Sequence, residues 1–256
     1  MRPFILSETN WGKIKDFDYK LAILPWGATE AHNLHLPYAT DNIQVEEIIH
    51  KAGEIAWKNK KEFIILPTIP FGVNTGQKDI LLDMNINPST QKLILEDIIR
   101  VLNRQGISKL LVFNGHGGNS FNSILREIGL DYPNIFLCAS DWFKSLDKSK
   151  YFEKEGDHAD EMETSLILHL RPDLVTKKEN WGEGKENYIK SKLLRENWTW
   201  FEREWSKASN DTGIGNPSKA TKEKGKKYFD EVTKKVSKLI IEICELDLND
   251  KYYTKK

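Results

Sequence analysis

The 256-residue sequence predicts an α/β fold, a single-domain layered sandwich spanning residues 1–256 in which a mainly parallel sheet is flanked by helices. Three observations predict it. Short, near-continuous apolar runs recur along the chain, as expected of strands covered on both faces. Longer amphipathic runs alternate with them, and the connections are short. No internal repeat or low-complexity linker divides the sequence.

The first apolar run, Leu21 to Pro25, predicts a strand, and Ile43 to Asn59 carries the helical pattern that follows it. Phe63 to Pro67 predicts a second strand. The next helix is predicted over Ser89 to Gln105, where Leu93, Ile94, Ile98, Val101 and Leu102 recur at helical spacing and Ser89 after Pro88 supplies a start. Leu110 to Asn114 and Ile135 to Ala139 predict the third and fourth strands, with a helix over Asn119 to Gly129 between them. A helix from about Asp160 to Leu170 comes next. A polar, Trp-rich excursion at about 177–217 then carries Trp181, Trp198, Trp200 and Trp205 with poor periodicity, which reads as an arm and not as a second domain. The last helix, Lys219 to Leu246, places Val232, Val236, Leu239, Ile240 and Ile243 on one stripe.

Bulk properties exclude several classes. Acidic and basic residues balance at 38 each, so the chain lacks the basic excess of a nucleic-acid binder. Basic stretches such as Lys222 to Lys227 are interleaved with acid and read as solvated helix face. No window approaches the roughly 20 apolar residues of a membrane span, and the first residues lack the apolar core of a signal peptide. Cys138 and Cys244 each lie in an apolar run, which suits buried thiols in a reducing compartment. The expectation is a soluble cytoplasmic protein with no nucleic-acid or membrane partner.

In an open α/β sheet, ligands sit beyond the carboxyl ends of the strands, and three such segments carry chemistry. After the first strand come Glu30 and His32, which project to one side of extended backbone, and then Asp41 just before a helix. Taken singly, these read as a surface acid, a packed imidazole and a helix cap. After the third strand comes Asn114-Gly115-His116-Gly117-Gly118-Asn119. It lacks the Lys-Ser or Lys-Thr pair of a phosphate-cradling loop, so a lone His among glycines suits a metal ligand better. The third segment is Gly156-Asp157-His158-Ala159-Asp160-Glu161-Met162-Glu163. If a helix begins near its start, His158 and Glu161 share a face and Glu163 is rotated away. Helix starts collect acids, but that preference does not account for His158. Mixed carboxylate and imidazole groups from three distant segments suit Zn²⁺, Mn²⁺ or Fe²⁺.

These motifs, in this order, resemble the creatininase (creatinine amidohydrolase) family. The resemblance runs over nearly the whole chain, from Leu6-Ser7-Glu8-Thr9-Asn10-Trp11 to Gly215-Asn216-Pro217 and Ala220-Thr221 through Lys224-Gly225. It implies two divalent ions per chain, Zn²⁺ and/or Mn²⁺ or Fe²⁺. Glu30 and His116 would hold one, His32 and Glu161 the other, with Asp41 bridging. Creatininases carry a Glu at the position of Gly118, for which Glu161 would substitute, leaving Glu163 a structural hydrogen bond. The resemblance further implies His158 as proton donor to the leaving nitrogen, with Asp157 orienting it or sharing the role, and a pocket lined by Trp142, Gln77, Gly117 and Gly118.

Three segments depart from the family. His32-Asn33-Leu34-His35 replaces its His-Gly-Pro-His, Gln77 stands where a histidine is common, and Lys154 replaces a tryptophan. They point away from creatinine itself. His35 reads equally as an orienting or a structural residue, and His50 and His169 as packed or helix-surface residues. The expected activity is hydrolysis of a small or cyclic amide or formamide through a water activated between two metals. Alternatives are a peptide or modified-peptide hydrolase with the same centre, or a silent metal-binding assembly protein. A homo-oligomer, a hexamer in this family, is expected, with the Trp-rich arm as a candidate interface.

Overall fold

A computed structural model describes residues 2–196, 198–249 and 253. After the single-turn helix α1 (Trp11–Ile14), the chain forms β1 (Leu21–Trp26), α2 (Thr40–Trp57), β2 (Phe63–Ile65), α3 (Pro88–Arg104), β3 (Lys109–Asn114), α4 (Phe121–Asp131) and β4 (Phe136–Asp141). Then come β5 (Gly156–His158), α5 (Glu161–Leu170), the single-turn α6 (Trp205–Ala208), β6 (Ile214–Gly215) and α7 (Lys222–Glu245). Strands β1 to β4 make one parallel sheet in the order β2-β1-β3-β4. Its register pairs Leu21 with Phe63 and Ala22 with Leu110. The parallel sheet flanked by helices is the fold class that the apolar runs predict.

The alternation of side chains along each strand sorts two cores. Leu21, Ile23, Phe63, Ile65, Leu111 and Phe113 face the layer of α2, α5 and α7, where Ile48, Ile49, Leu166, Val232 and Ile240 meet them. Ala22, Leu24, Trp26, Ile64, Leu110 and Val112 face α3 and α4, against Leu95, Ile99, Phe121 and Ile128. Burial on both faces explains why the strands read as unbroken apolar runs. Two details tighten the α7 layer. The buried Lys109 ammonium donates to the carbonyls of Ile243, Cys244 and Leu246, satisfying the end of α7. At Gly225 a Cβ would lie 1.8 Å from the carbonyl oxygen of Ser165, so α5 and α7 cross at backbone contact.

The Trp-rich segment returns to the body of the chain. β6 pairs antiparallel with β5, and Glu186 bridges to Ser209. Residue 197 of this segment lies outside the described residues. Among the described residues no helix is long and apolar enough to cross a membrane.

Chain order reverses on either side of β1: α2 leads to β2 on one edge, and α3 leads back to β3 on the other. The carboxyl ends of β1 and β3 therefore form the switch point at which such sheets bind ligands.

Candidate metal centre

That switch point gathers three histidines and three carboxylates, all buried. Glu30 and His32 follow β1, and His116 follows β3. Asp41 lies in the first turn of α2, not before it as expected, because the helix starts at Thr40. His116 Nδ1 lies 2.8 Å from Glu30 Oε1 and 3.0 Å from Asp41 Oδ2. The other oxygen, Asp41 Oδ1, lies 3.2 Å from His32 Nε2, which is 3.8 Å from Glu163 Oε2. His158 Nδ1 is 3.8 Å from Glu30 Oε1, and its ring lies 4.0 Å from that of His32.

Each imidazole is tied at its far nitrogen to a backbone carbonyl. His32 Nδ1 faces Glu30 O at 3.1 Å, His116 Nε2 faces Val73 O at 3.1 Å, and His158 Nε2 faces Ala31 O at 2.8 Å. A carbonyl only accepts, so these nitrogens carry the proton and the inward nitrogens turn lone pairs or exchangeable protons toward the carboxylates. Among buried atoms, His32 Nε2 has no hydrogen-bond partner. Three sets of groups are close enough to hold an ion: Glu30, Asp41 and His116; His32, Asp41 and Glu163; and Glu30, His32 and His158. Oxygen-rich sets with one or two imidazoles fit divalent cations such as Zn²⁺ or Mn²⁺, and the carbonyl-tied imidazoles are the usual outer support of such ligands.

The electrostatics show what the cluster does with protons alone. Burial opposes charge on His32, but Asp41 and Glu163 outweigh it and raise the imidazole to about 10. His116 is likewise raised, its burial outweighed by Glu30 and Asp41. Asp41 and Glu30 are held below the ordinary carboxylate range by these histidines despite burial. Burial lifts Glu163 to about 8 and, with the neighbouring His32, lowers His158. At neutral pH two imidazoliums balance two carboxylates, beside a protonated Glu163 and a neutral His158.

Two expected residues, Glu161 and Trp142, lie elsewhere, and a third, Asp157, lines the cavity but is paired with Arg203. Glu161 is turned away from the cluster. Its Oε2 accepts the backbone N–H groups of Glu153 and Lys154 at 3.0 and 2.8 Å, and its Oε1 pairs with Lys224. The reason is helix phase. His158 ends β5, Ala159 turns the chain at φ 49°, and Asp160 caps a helix that begins only at Glu161. The presumed helical face shared by His158 and Glu161 does not exist, and Glu163 at the third helical position faces the cluster instead. Its Oε2 also accepts the Ala159 N–H at 2.5 Å. The signal was present: Asp160 and Glu163 have the spacing of a capping box, which fixes the start of the helix.

Asp157 contacts Arg203 at 2.9 and 3.2 Å and does not orient His158, a task the Ala31 carbonyl performs. Trp142 is 1% exposed within the α7-side core, because it follows β4 on a turn directed inward, and it is not among the residues lining the cavity over the cluster. Gln77, Gly117 and Gly118 do line the cavity over the cluster. Gly118 is required there, since a Cβ would lie 2.3 Å from Val73 O and 2.5 Å from His116 Nε2. His35 bonds Thr164 Oγ1 at 2.8 Å and stacks on Trp181, and burial holds it at about 4, a structural arrangement.

The cavity, of about 1380 Å³, is walled on one side by Gly117, Gly118 and Gln77 and on the other by the arm. Trp205 packs on His158 with ring centroids 4.6 Å apart. Of the four arm tryptophans, Trp181 and Trp205 pack inward, whereas Trp198 and Trp200 are exposed.

A family model described as creatininase, creatinine amidohydrolase, matches residues 7–240. A creatinine amidohydrolase of Pseudomonas putida is 27% identical over 203 residues, 68% of this chain and 74% of its own. A mycofactocin precursor peptide peptidase of Mycobacterium tuberculosis is 26% identical over 218 residues, 81% of this chain and 79% of its own. A crystal structure from Bacteroides fragilis, of a protein provisionally assigned as a creatinine amidohydrolase, superposes with a TM-score of 0.91. It is 40% identical and covers 97% of this chain and 99% of that one. Creatininase structures in manganese and zinc–zinc forms, 19% and 20% identical, share the fold at TM-scores of 0.78 and 0.76, each covering 95% of this chain and 99% of theirs.

Proposed function

Because the chain belongs to the creatininase family and is a hydrolase of carbon–nitrogen bonds, we propose that it is a metal-dependent amidohydrolase acting on a small or cyclic amide or formamide. The observation that carries this reading is Asp41, whose two oxygens face two different histidines, Oδ1 toward His32 Nε2 and Oδ2 toward His116 Nδ1. That is the posture of a carboxylate serving two cations. Glu30, His116 and Asp41 would hold one, and His32, Asp41 and Glu163 the other. The donor set suits Zn²⁺ and Mn²⁺, and Fe²⁺ as well.

Two such ions, when bound, lower the pKa of a shared water and polarise the amide carbonyl. The remaining chemistry belongs to the chain. His158 is kept neutral by burial, with its proton fixed at Nε2 by the Ala31 carbonyl and Nδ1 left to take a proton. It accepts the proton released by the attacking water and returns it to the leaving nitrogen. The arm's Trp205, against the His158 ring, limits bulk water at that nitrogen.

A second reading, cleavage of a peptide or modified peptide, is favoured by the cavity alone, which exceeds the roughly 300–1,000 Å³ common for small-molecule sites. The exposed Trp198 and Trp200 keep a homo-oligomer as the proposal for assembly. The test is metal analysis beside turnover on a panel of amides and peptides. Two divalent ions per chain, activity abolished by chelation and both ions lost in Asp41→Ala are the expected results. A metal-free protein with full activity would refute the reading.

A further inference from the structure

The arm that walls the cavity is closed at its base by one residue of the body, Asn33, which meets Gly182 near the arm's start and Thr212 and Gly213 near its end. Asn33 directly follows His32, takes the left-handed conformation at φ 56° and is buried. Its Oδ1 accepts the N–H of Gly182 at 3.0 Å and that of Leu34 at 2.6 Å, and its Nδ2 donates to the Gly182 carbonyl at 3.4 Å. Its own backbone N–H donates to Thr212 Oγ1 at 2.9 Å. The side chain thus holds the outgoing limb and the backbone holds the returning one. The junction is tight: a Cβ at Gly182 would collide with Asn33 Oδ1, and one at Gly213 would lie 2.5 Å from Asn33 Nδ2.

Farther out the two limbs are held differently. The returning limb has its own ties across the site, Glu202 to Thr75 at 2.9 Å, Arg203 to Asp157, Ser206 to Asp79 and Trp205 against His158. The outgoing limb is paired to the returning one, Gly184 N–H to Asp211 Oδ2 at 2.9 Å and Asn187 N–H to the Ala208 carbonyl at 2.7 Å. Glu186, Asn187 and Tyr188, which follow from it, line the cavity.

Resting on the amidohydrolase reading, we propose that Asn33 is a positioning residue for the substrate: by clasping both ends of the arm to the loop that carries His32, it fixes how far the arm's wall stands from the metal cluster. Asn33 acts through the outgoing limb on substrate binding and not on the hydrolytic step. Trp205 and Arg203 keep their own contacts with the body when the clasp is undone, so the surroundings of His158 persist.

The test uses the metal-loaded full chain and the best substrate of the amide and peptide panel. Asn33→Gly keeps the left-handed backbone, which glycine adopts freely, and removes the side-chain clasp. KM is expected to rise by about 3- to 30-fold, the worth of one or two net hydrogen bonds, with kcat within about threefold of the parent and metal content unchanged. Gly182→Ala breaks the same contact from the arm's side and should raise KM alike. The double variant should raise it by less than the product of the two, because both changes act on one contact. Hydrogen exchange should show the amides of residues 182–187 opening about tenfold faster in Asn33→Gly, with α3 and α4 at the parent's rates. An unchanged KM, a fall in kcat as large as the rise in KM, or strictly multiplicative effects in the double variant would overturn the proposal. A parent protein that turns over nothing on the panel would sink the hydrolase reading alone. Exchange then judges the clasp by itself, and unchanged rates over 182–187 in Asn33→Gly would overturn it.

Discussion

The exchange of roles between Glu161 and Glu163 predicts opposite phenotypes for two changes of equal chemistry. Glu163→Gln removes the carboxylate that faces His32 Nε2. Because burial lifts Glu163 to about 8, the metal-free protein already holds it largely protonated at pH 7. A neutral glutamine therefore mimics that state and keeps an oxygen for the Ala159 N–H, so the chelated variant should melt within a few degrees of the parent. What it loses is affinity. With one ligand gone, the second site should weaken by at least about 100-fold, a loss at the upper end of what outer-shell changes produce. At a metal concentration of 100 Kd for the parent, ligand-linked stabilisation then falls from about 2.7 to about 0.4 kcal/mol, a loss of about 2.3 kcal/mol. Glu161→Gln does the reverse. It breaks the pair with Lys224 and disturbs two half-buried N–H···O bonds, which should cost about 2–4 kcal/mol and lower Tm by roughly 5–15 °C. Both ions should remain. Elemental analysis after gel filtration, with thermal melts in chelator and in excess Zn²⁺, reads both effects. Metal lost from Glu161→Gln and retained in Glu163→Gln would refute the assignment and the helix phase beneath it.

Three further outcomes follow from the same geometry. His158→Ala should keep both ions and lower turnover by about 10²–10⁴-fold; loss of metal would make it a ligand, as its proximity to Glu30 and His32 permits. Above about pH 6.5 the metal-free protein should lose stability as pH rises. His32 is raised from 6.5 to about 10, so its contribution is complete below about 6.5 and gone above about 10, and the raised Glu163 acts in the same direction up to about 8; the lowered His35 and His158 oppose this trend only below about 6.5. Melting temperature in chelator should fall between about pH 6.5 and 10 and fall less in Zn²⁺, where cations replace the protons; a flat profile there in chelator would contradict the charge states. Gly225→Ala should cost about 1–3 kcal/mol by forcing α5 and α7 apart, measured by denaturant midpoint; an unchanged midpoint would show that the crossing yields freely.

Much of the fold is legible in the sequence because burial on both faces of the sheet writes itself as unbroken apolar runs. The four sheet strands and the five long helices fall within a few residues of their predicted places. The candidate site was legible where a strand end delivers a side chain directly to the cluster, as at Glu30, His32 and His116. It was not where the outcome depends on a single turn of backbone. The left-handed Ala159 delays the helix and exchanges Glu161 for Glu163. Trp142, which the resemblance puts in the pocket, lies in the core, because the direction of the turn after β4 decides between the two. The arm's return over the site rests on β5–β6 pairing between residues far apart in the chain, and strands of three and two residues leave no periodicity to read.

Helix α7 contributes no group to the metal cluster, yet it completes the core beneath it and is clasped by Lys109 from the first residue of β3. This has a consequence for biosynthesis. Every cluster residue, from Glu30 to Glu163, is translated well before α7, so the nascent chain carries its chelating groups while the face beneath α2 and α5 is still uncovered. The core beneath the cluster is complete only once α7 has been made. If the cluster holds ions as proposed, those taken up earlier would meet ligands on an incompletely packed chain, and the order of translation would favour metal capture after α7 has docked.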